Sequence, residues 1–524
     1  MVFKLFPSFF FKFMIRFVFI FCLQIFFGAA LLVAATEVDF AKKLESNVGE
    51  YTLRNGMKVL VLNRSVAPLV SFQMMFRCGG VDEISGKTGL AHMFEHMMFK
   101  GTRTIGTKNY EKEKLILEAI DQTARKIMDE ETKNATKNKN TLDELKHLDE
   151  LKHLDELKQQ MRALEIQQEE FAVPSEFDAI YQEAGGEGLN AFTAQDMTGF
   201  VVNLPSNKWE LWALMESERM KNPVLREFYK ERDVVMEERR MRYESAPNGK
   251  LWENFVSMAF QAHPYHSPTI GWSDDIQRLT LGDAEEFFKT HYAPNNAAVA
   301  IVGDVDAKEI IPKLEQYFAQ VSSYPIPAKH VTVEPEQSGM RRATVNFDSE
   351  PLLMMGFHKP AAPSADNFAM EAIKDILSRG RTARFYRQII QKQIAVSVEA
   401  FNGEPGERYA NLIVFEASAR SPHNNKDAED AIWKELELLK TQKVSARELQ
   451  KILNQIEGDF IRALGSNSGM ASQLVYAQVV LGDWRQVFKY LDGIRAVTPE
   501  QIQEVAQRYF TKKNCTAVDL ERGN

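Results

Sequence analysis

The residues His92-Met93-Phe94-Glu95-His96 combine types and spacing that can do chemistry. On a helix the two histidines lie one turn apart on the same side, and Glu95 falls within about 60° of His92, so all three can address one point. Neutral imidazoles at that spacing can supply two of a zinc ion's protein ligands, and a nearby carboxylate can take a proton from the attacking water. A zinc centre with an open position usually has three protein ligands, so a further His, Asp or Glu must come from elsewhere. The stretch Glu231-Arg232-Asp233-Val234-Val235-Met236-Glu237-Glu238 reads as helix, and its spacing puts Glu231 and Glu238 on nearly one face, two turns apart. One of them can ligate while the other orients the site from behind. The bland alternatives are two polar histidines on an amphipathic helix and solvated carboxylates on a charged one.

The other histidines carry less. His263, His266, His291, His330 and His358 are scattered, and the loop His263-Pro264-Tyr265-His266 has no carboxylate at ligand spacing. They read as structural.

The elements that must hold the motif are strands followed by helices. Two apolar, partly alternating runs between Tyr51 and Asp82 read as neighbouring strands around a polar break at Asn63-Arg64-Ser65. Gly89 to Met98 has helical spacing and ends near Gly101. Asn190 to Leu204 returns to strand character. Ser206 to Met220 and Leu225 to Tyr243 read as helices, the first with Ser206 as N-cap and Glu210 in its opening turn.

Between these parts, about residues 110–174, lies a segment dense in Lys and Glu that contains LDELKH, LDELKH and LDELKQ. Its period of six makes the leucines from Leu142 to Leu157 drift around a helix, so no coiled-coil seam is sustained. Lys146 with Glu150 and Asp149 with Lys152 suit a solvated helix or helical hairpin, with His147 and His153 in solvent. Repeat expansion in a tolerant surface loop and a partner-docking arm are the two readings of this insert.

A second signal is internal. Leu281 to Asp304 is a helix, a break and a strand, and Thr498 to Leu520 repeats that order with a similar aromatic pair before the break. Two related halves are implied. Their join is the Pro-containing stretch over residues 322–339.

The chain's ends and composition set outer limits. Lys4, Lys12 and Arg16 precede an apolar run from Phe17 to Ala35, which reads as an export signal or an uncleaved anchor and places the body in the periplasm of a cell with an outer membrane. The 524 residues, 44% hydrophobic and 26% charged, suit a folded chain of several packed units rather than a disordered or many-spanning one. A net charge of −8 argues against a nucleic-acid surface. Cys22, Cys78 and Cys515 make no disulfide framework and have no metal-ligand spacing.

HxxEH inverts the thermolysin-type HExxH. GLAHMFEHMMFKGT, then LNAFTAQDMTGF, then ERDVVMEE resemble the pitrilysin/insulinase family of zinc peptidases, nearest to bacterial processing proteases and the mitochondrial processing peptidase β subunit. The likeness spans about residues 48–520, excluding the insert. It implies zinc, one per chain, on His92, His96 and Glu238, with Glu95 as general base and Glu231 supporting the metal. It also implies that the edge strand at Asn190, Ala191 and Phe192 pairs with an extended substrate peptide.

One departure stands out. The family holds the substrate carbonyl with an Arg and a Tyr seven residues apart in a non-zinc half, and here Val396 takes the Tyr position with no Arg seven residues before it. The resemblance then implies a heterodimer in which a homologous chain lacking HxxEH supplies the pair. A shifted use of Arg384 or Tyr386, and a self-sufficient homo-oligomer, are the competing readings.

The expected fold is α+β: two homologous halves, each a sheet flanked by helices, forming half of a clamshell. The expected domains are a signal or anchor at 1–35, a zinc-peptidase domain at 36–321, a linker at 322–339 and a homologous non-catalytic domain at 340–524. The expected activity is zinc-dependent endopeptidase action on peptides or unfolded segments. The rival is a catalytically inert or assembly subunit of the same fold.

Overall fold

Two mixed sheets, each covered by helices, organise the chain in the computed structural model, which describes residues 44–136, 144–326 and 330–523. The expected export segment and Cys22 lie outside the described residues. Residues 44–47 form a helical turn in an N-terminal unit ending at Gly49, and the unit beginning at Glu50 holds everything discussed below except Gly49 itself, the first residue of the opening strand.

The first sheet is built from Gly49–Thr52 (β1), Lys58–Asn63 (β2), Leu69–Phe76 (β3), Glu187–Thr193 (β4), Thr198–Pro205 (β5) and Ala297–Gly303 (β6), in the order β1-β2-β6-β3-β5-β4. β6 reads AAVAIVG and is buried at every residue, as a strand covered on both faces must be. It runs parallel to β2 and antiparallel to β3. β2 and β3, from the two runs expected to be neighbouring strands, are therefore not neighbours. β6, the strand that separates them in the sheet, comes from more than two hundred positions downstream, a pairing that local pattern does not encode.

The second sheet uses Arg341–Asn346 (β7), Leu352–Lys359 (β8), Ala395–Glu404 (β9), Asn411–Ala419 (β10) and Cys515–Glu521 (β11), in the order β7-β11-β8-β10-β9. β11 is parallel to β7 and antiparallel to β8. With β1 set aside, both sheets have the same order and the same directions. The internal repeat seen in sequence is thus a repeat of architecture. Leu281–His291 and Pro499–Tyr509 both lead through a short 3-10 turn into the last strand of their sheet, and both start at a threonine whose side chain accepts from the N3 amide.

The helices that matter to the site are Leu90–Met97 (α1), Tyr110–Thr136 (α2), Glu144–Glu169 (α3), Phe228–Arg239 (α4), Pro247–Ala259 (α5), Ala365–Ser378 (α6), Ala446–Gly465 (α7) and Asn467–Val479 (α8). α2 and α3 pack together as a helical hairpin, one of the two forms expected of the charged insert. Leu154, Leu157 and Met161 are buried while Leu151 is 43% exposed, the drift that a period of six produces. Other boundaries differ from expectation. Ser206 opens a 3-10 turn and caps nothing, the α-helix starting at Trp209. The helix expected to run to Tyr243 ends at Arg239 and passes into a five-residue π turn, Arg240–Glu244.

Each half lends a helix to the other. α8 lies across β3 and β6 of the first sheet, while α5 lies across β8 and β11 of the second. Phe255 of α5 approaches so closely that its ring atoms would lie 2.5 Å from a Cβ at Gly356, so only glycine fits there. Leu251, Phe255 and Val256 join Met354, Val414 and Val518 in one buried cluster spanning the two halves. Residues 322–326 and 330–340 have no regular structure. Glu334 in this stretch accepts the backbone amides of Gln261, Ala262 and His263 just beyond α5.

Candidate metal centre

The motif helix α1 is set by what precedes it. Gly89 adopts φ +93°, and a Cβ there would lie 2.7 Å from the Ile270 carbonyl oxygen, so glycine is required. The buried carboxylate of Glu83 accepts the amides of Gly89 (2.8 Å) and Ala91 (2.7 Å), putting negative charge at the positive end of the helix. Leu90, Ala91, Met93, Phe94 and Met97 are buried against the first core, which leaves His92, Glu95 and His96 on the remaining face.

α4 brings its carboxylates to that face. Glu238 Oε1 lies 3.7 Å from His92 Nε2, and its Oε2 lies 3.4 Å from His96 Nε2. The ligating atoms of His92, His96 and Glu238 all fall within 4.8 Å of one another, the one group of this kind among the described residues. Two imidazole Nε2 atoms converging on a carboxylate is the donor set of a zinc centre with room for a further ligand. Burial pushes the His92 imidazole down to about 3, with the neighbouring His96 and Arg242 charges adding to the effect, so His92 is neutral and its lone pair is free.

The surroundings fix these side chains. His96 Nδ1 lies 3.0 Å from Glu231 Oε1, which directs the opposite nitrogen toward Glu238. Burial alone would lower His96, but its hydrogen bond to Glu231 and the charges of Glu231, Glu238 and Glu95 raise it. Burial alone would raise Glu231, yet hydrogen bonds from His96 and Lys100 hold it down at about 2. Lys100 bridges Glu231 at 2.7 Å and Glu227 at 2.9 Å. On the other side, Arg242 Nη1 meets Glu238 Oε1 at 2.8 Å. Sequence reasoning passed over Lys100 and Arg242. Each sits four residues after a site residue, a helical contact spacing, but Lys100 lies beyond the end of α1 and Arg242 in the π turn after α4.

Glu95 and His96 line a cavity of about 390 Å³ together with Phe99, Phe177, Asn190 and Ala191. Asn190, Ala191 and Phe192 lie on β4, at the end of the sheet, paired with β5 on one side only. The other edge of β4 has no strand among the described residues, so its backbone is available to an extended chain.

Arg384 and Tyr386 are placed elsewhere. Arg384 is held by Glu448 of α7 through a two-point contact at 3.0 and 2.9 Å, Tyr386 opens a π turn in the second half, and neither lines the cavity beside His96. Val396 stands exposed on β9.

Comparison with known proteins matches residues 58–141 to Insulinase (Peptidase family M16) and residues 278–456 to the Peptidase M16 inactive domain. The chain belongs to the M16 family. Zinc protease PqqE of Helicobacter pylori is 26% identical over 478 residues, covering 90% of this chain and 92% of that protein. An uncharacterized zinc protease of Bacillus subtilis, YmxG, is 20% identical over 91% of this chain and 99% of its own length. Among solved structures, a protease from Helicobacter pylori superposes with a TM-score of 0.74 at 25% identity, over 90% of this chain and 99% of that one. The first half of the periplasmic protease PqqL from Escherichia coli gives 0.63 at 16% identity, over 91% and 92%.

Within this M16 chain the second half shows what became of the same position. On α6, Glu371, Lys374 and Asp375 repeat the i, i+3, i+4 spacing of His92, Glu95 and His96. Five residues beyond Asp375 stands Gly380 at φ +72°, as Gly101 stands five beyond His96 at φ +92°. Lys374 there contacts Glu371 and Asp375, and Arg379 bonds Asp375 and Asp459. Internal cations neutralise that cluster, and no imidazole is present to bind a metal.

Proposed function

We propose that the chain is a zinc metalloendopeptidase acting on peptides or unfolded polypeptide segments. The observation that carries the reading is the convergence of His92, His96 and Glu238 within 4.8 Å, beside a cavity that Glu95 shares with the free-edged strand β4. His92, His96 and Glu238 would hold the ion. When bound, zinc supplies Lewis acidity to the attacking water and to the substrate carbonyl.

The chain's own groups do the rest. Glu231 keeps the His96 ring in the orientation and tautomer that a ligand needs. The backbone of Asn190, Ala191 and Phe192 pairs with an extended peptide and lays its scissile bond beside Glu95. Glu95 takes the proton of the attacking water and delivers it to the leaving amine, so one carboxylate serves both halves of the reaction.

The exposed Val396 and the engaged Arg384 support a further element of the proposal. The groups that hold the substrate carbonyl come from a homologous chain without HxxEH, in a heterodimer. The basic and apolar start of the chain and the periplasmic PqqL neighbour support export. The test is zinc analysis of the purified chain with cleavage of a peptide mixture, first alone and then with a homologue lacking HxxEH. Zinc near one per chain with cleavage in either arm supports the reading. A zinc-free chain inert in both arms is instead an assembly subunit.

A further inference from the structure

The turn joining β4 to β5 is Ala194-Gln195-Asp196-Met197, and Asp196 is 3% exposed although it sits at a hairpin tip. A carboxylate at such a tip normally faces water. This one lies between the halves. Its Oδ1 accepts from the hydroxyl of Tyr265 at 2.6 Å, and its Oδ2 accepts the backbone amides of Glu407 (2.6 Å) and Arg408 (2.9 Å) in the β9–β10 turn of the second half. Arg408 Nε is 3.7 Å from Oδ1, and its Nη2 donates to Asp82 at 2.6 Å. A Cβ at Gly406 would lie 2.6 Å from Asp196 Oδ2, so the second-half turn approaches as closely as glycine allows.

The rest of the β4–β5 turn is held to the first half. Gln195 donates to the Ser267 carbonyl at 2.7 Å, and the Ala194 and Gln195 carbonyls accept the amides of Gly80 and Val81. Within the sheet β4 pairs only with β5 among the described residues, so its far edge has no ladder to fix it, and it packs on α1, where Thr193 Oγ1 donates to the Ala91 carbonyl at 3.4 Å. The tip adds a second fixing point for β4, one that reaches the other half.

We propose that Asp196 is a positioning residue that uses the second half of the chain as an anchor for the substrate strand β4. The proposal rests on the reading of β4 as the strand that takes the peptide. It gives the metal-free half a task in the same chain: its β9–β10 turn supplies two backbone donors and one guanidinium that hold the tip of β4. Asp196→Ala leaves two amides and a hydroxyl in a buried place without their acceptor and removes one of the two carboxylates facing the Arg408 guanidinium, so the tip loosens. Asp196→Asn keeps an oxygen for the two amides while its NH2 donates to the Tyr265 oxygen, so it rescues.

The test uses the full chain with Glu95→Gln, so that bound polypeptide is not cut, and fluorescein-labelled β-casein as an unfolded probe. Asp196→Ala is expected to weaken casein binding at least about tenfold, the scale of a small misplacement of a binding element. Zinc content stays unchanged, amide exchange at residues 187–193 quickens, and Asp196→Asn restores binding. In the cleaving chain the same change raises KM while kcat per bound zinc holds. Unchanged binding and exchange in Asp196→Ala would overturn the proposal, as would a fall in kcat that merely follows lost zinc. If Asp196→Ala fails to fold, Tyr265→Phe, which removes one donor of the hub, decides by the same criteria. If the Glu95→Gln chain itself binds no casein, the substrate-strand reading fails separately, and amide exchange alone decides whether Asp196 anchors β4.

Discussion

Substitutions at Glu95 and at its two flanking histidines should separate metal binding from turnover. Glu95→Gln removes a base and leaves every candidate ligand in place. It should keep zinc near one per chain by elemental analysis while peptide cleavage falls at least about a hundredfold. His92→Ala or His96→Ala removes a ligand, and the metal itself should be lost on dialysis. Glu231→Gln removes the charged partner of His96 Nδ1 and should weaken zinc about 10- to 100-fold in a chelator competition. At this scale the sequence was most informative where its residues are contiguous. His92, Glu95 and His96 could be read from spacing alone because one helix presents all three. Glu238 could not be told from Glu231 without the family resemblance, since both lie on one face of α4. The geometry places Glu238 next to both Nε2 atoms and Glu231 behind His96.

At the scale of elements, the insert is built into the site rather than hung beside it. Glu113 at the start of α2 is fully buried and pairs with Arg226 Nε at 2.9 Å, while Gln168 at the end of α3 donates to the same carboxylate. Arg226 also donates to the carbonyls of Lys100, Ile105 and Thr102, so the root of the hairpin is fastened to the chain leaving α1 and to the residues entering α4. Arg226→Ala should therefore cost about 3–5 kcal/mol in urea denaturation, since it strands a buried carboxylate. Further out, Tyr229 of α4 donates to Asp121 of α2 at 2.6 Å. The charge pattern left a solvated helix and a helical hairpin open, because solvent-facing positions obey local rules, and the structure has the hairpin. The root contacts were not legible, because Glu113 and Arg226 are joined only by the fold. The same limit hid the placement of β6 between β2 and β3, and the meeting of Asp196 with Arg408.

At the scale of the molecule, two matching sheets carry a single His-His-Glu group among the described residues. Lys374 and Arg379 supply the positive charge in the second half, so the zinc content of the wild-type chain should saturate at one per chain and not two. The second half also carries a titratable strain on stability. Lys359, 2% exposed at the end of β8, donates to Asn367 at 2.6 Å, and burial pushes its ammonium down to about 8. An unfolded Lys titrates near 10.4, so between about pH 8 and 10.4 the unfolded chain binds the extra proton and this group's contribution to stability rises with pH. Urea midpoints compared at pH 7 and 9.5 should show the wild type gaining on Lys359→Met, and a constant gap would count against a buried, depressed ammonium.

α1 and α4 bring three side chains around one point. Anomalous scattering at the zinc edge from crystals of the zinc-loaded chain tests this most directly. A single peak about 2.0–2.2 Å from Nε2 of His92, Nε2 of His96 and an oxygen of Glu238 is the expected result. A peak that leaves Glu238 outside bonding distance, or no peak at this place, would contradict it.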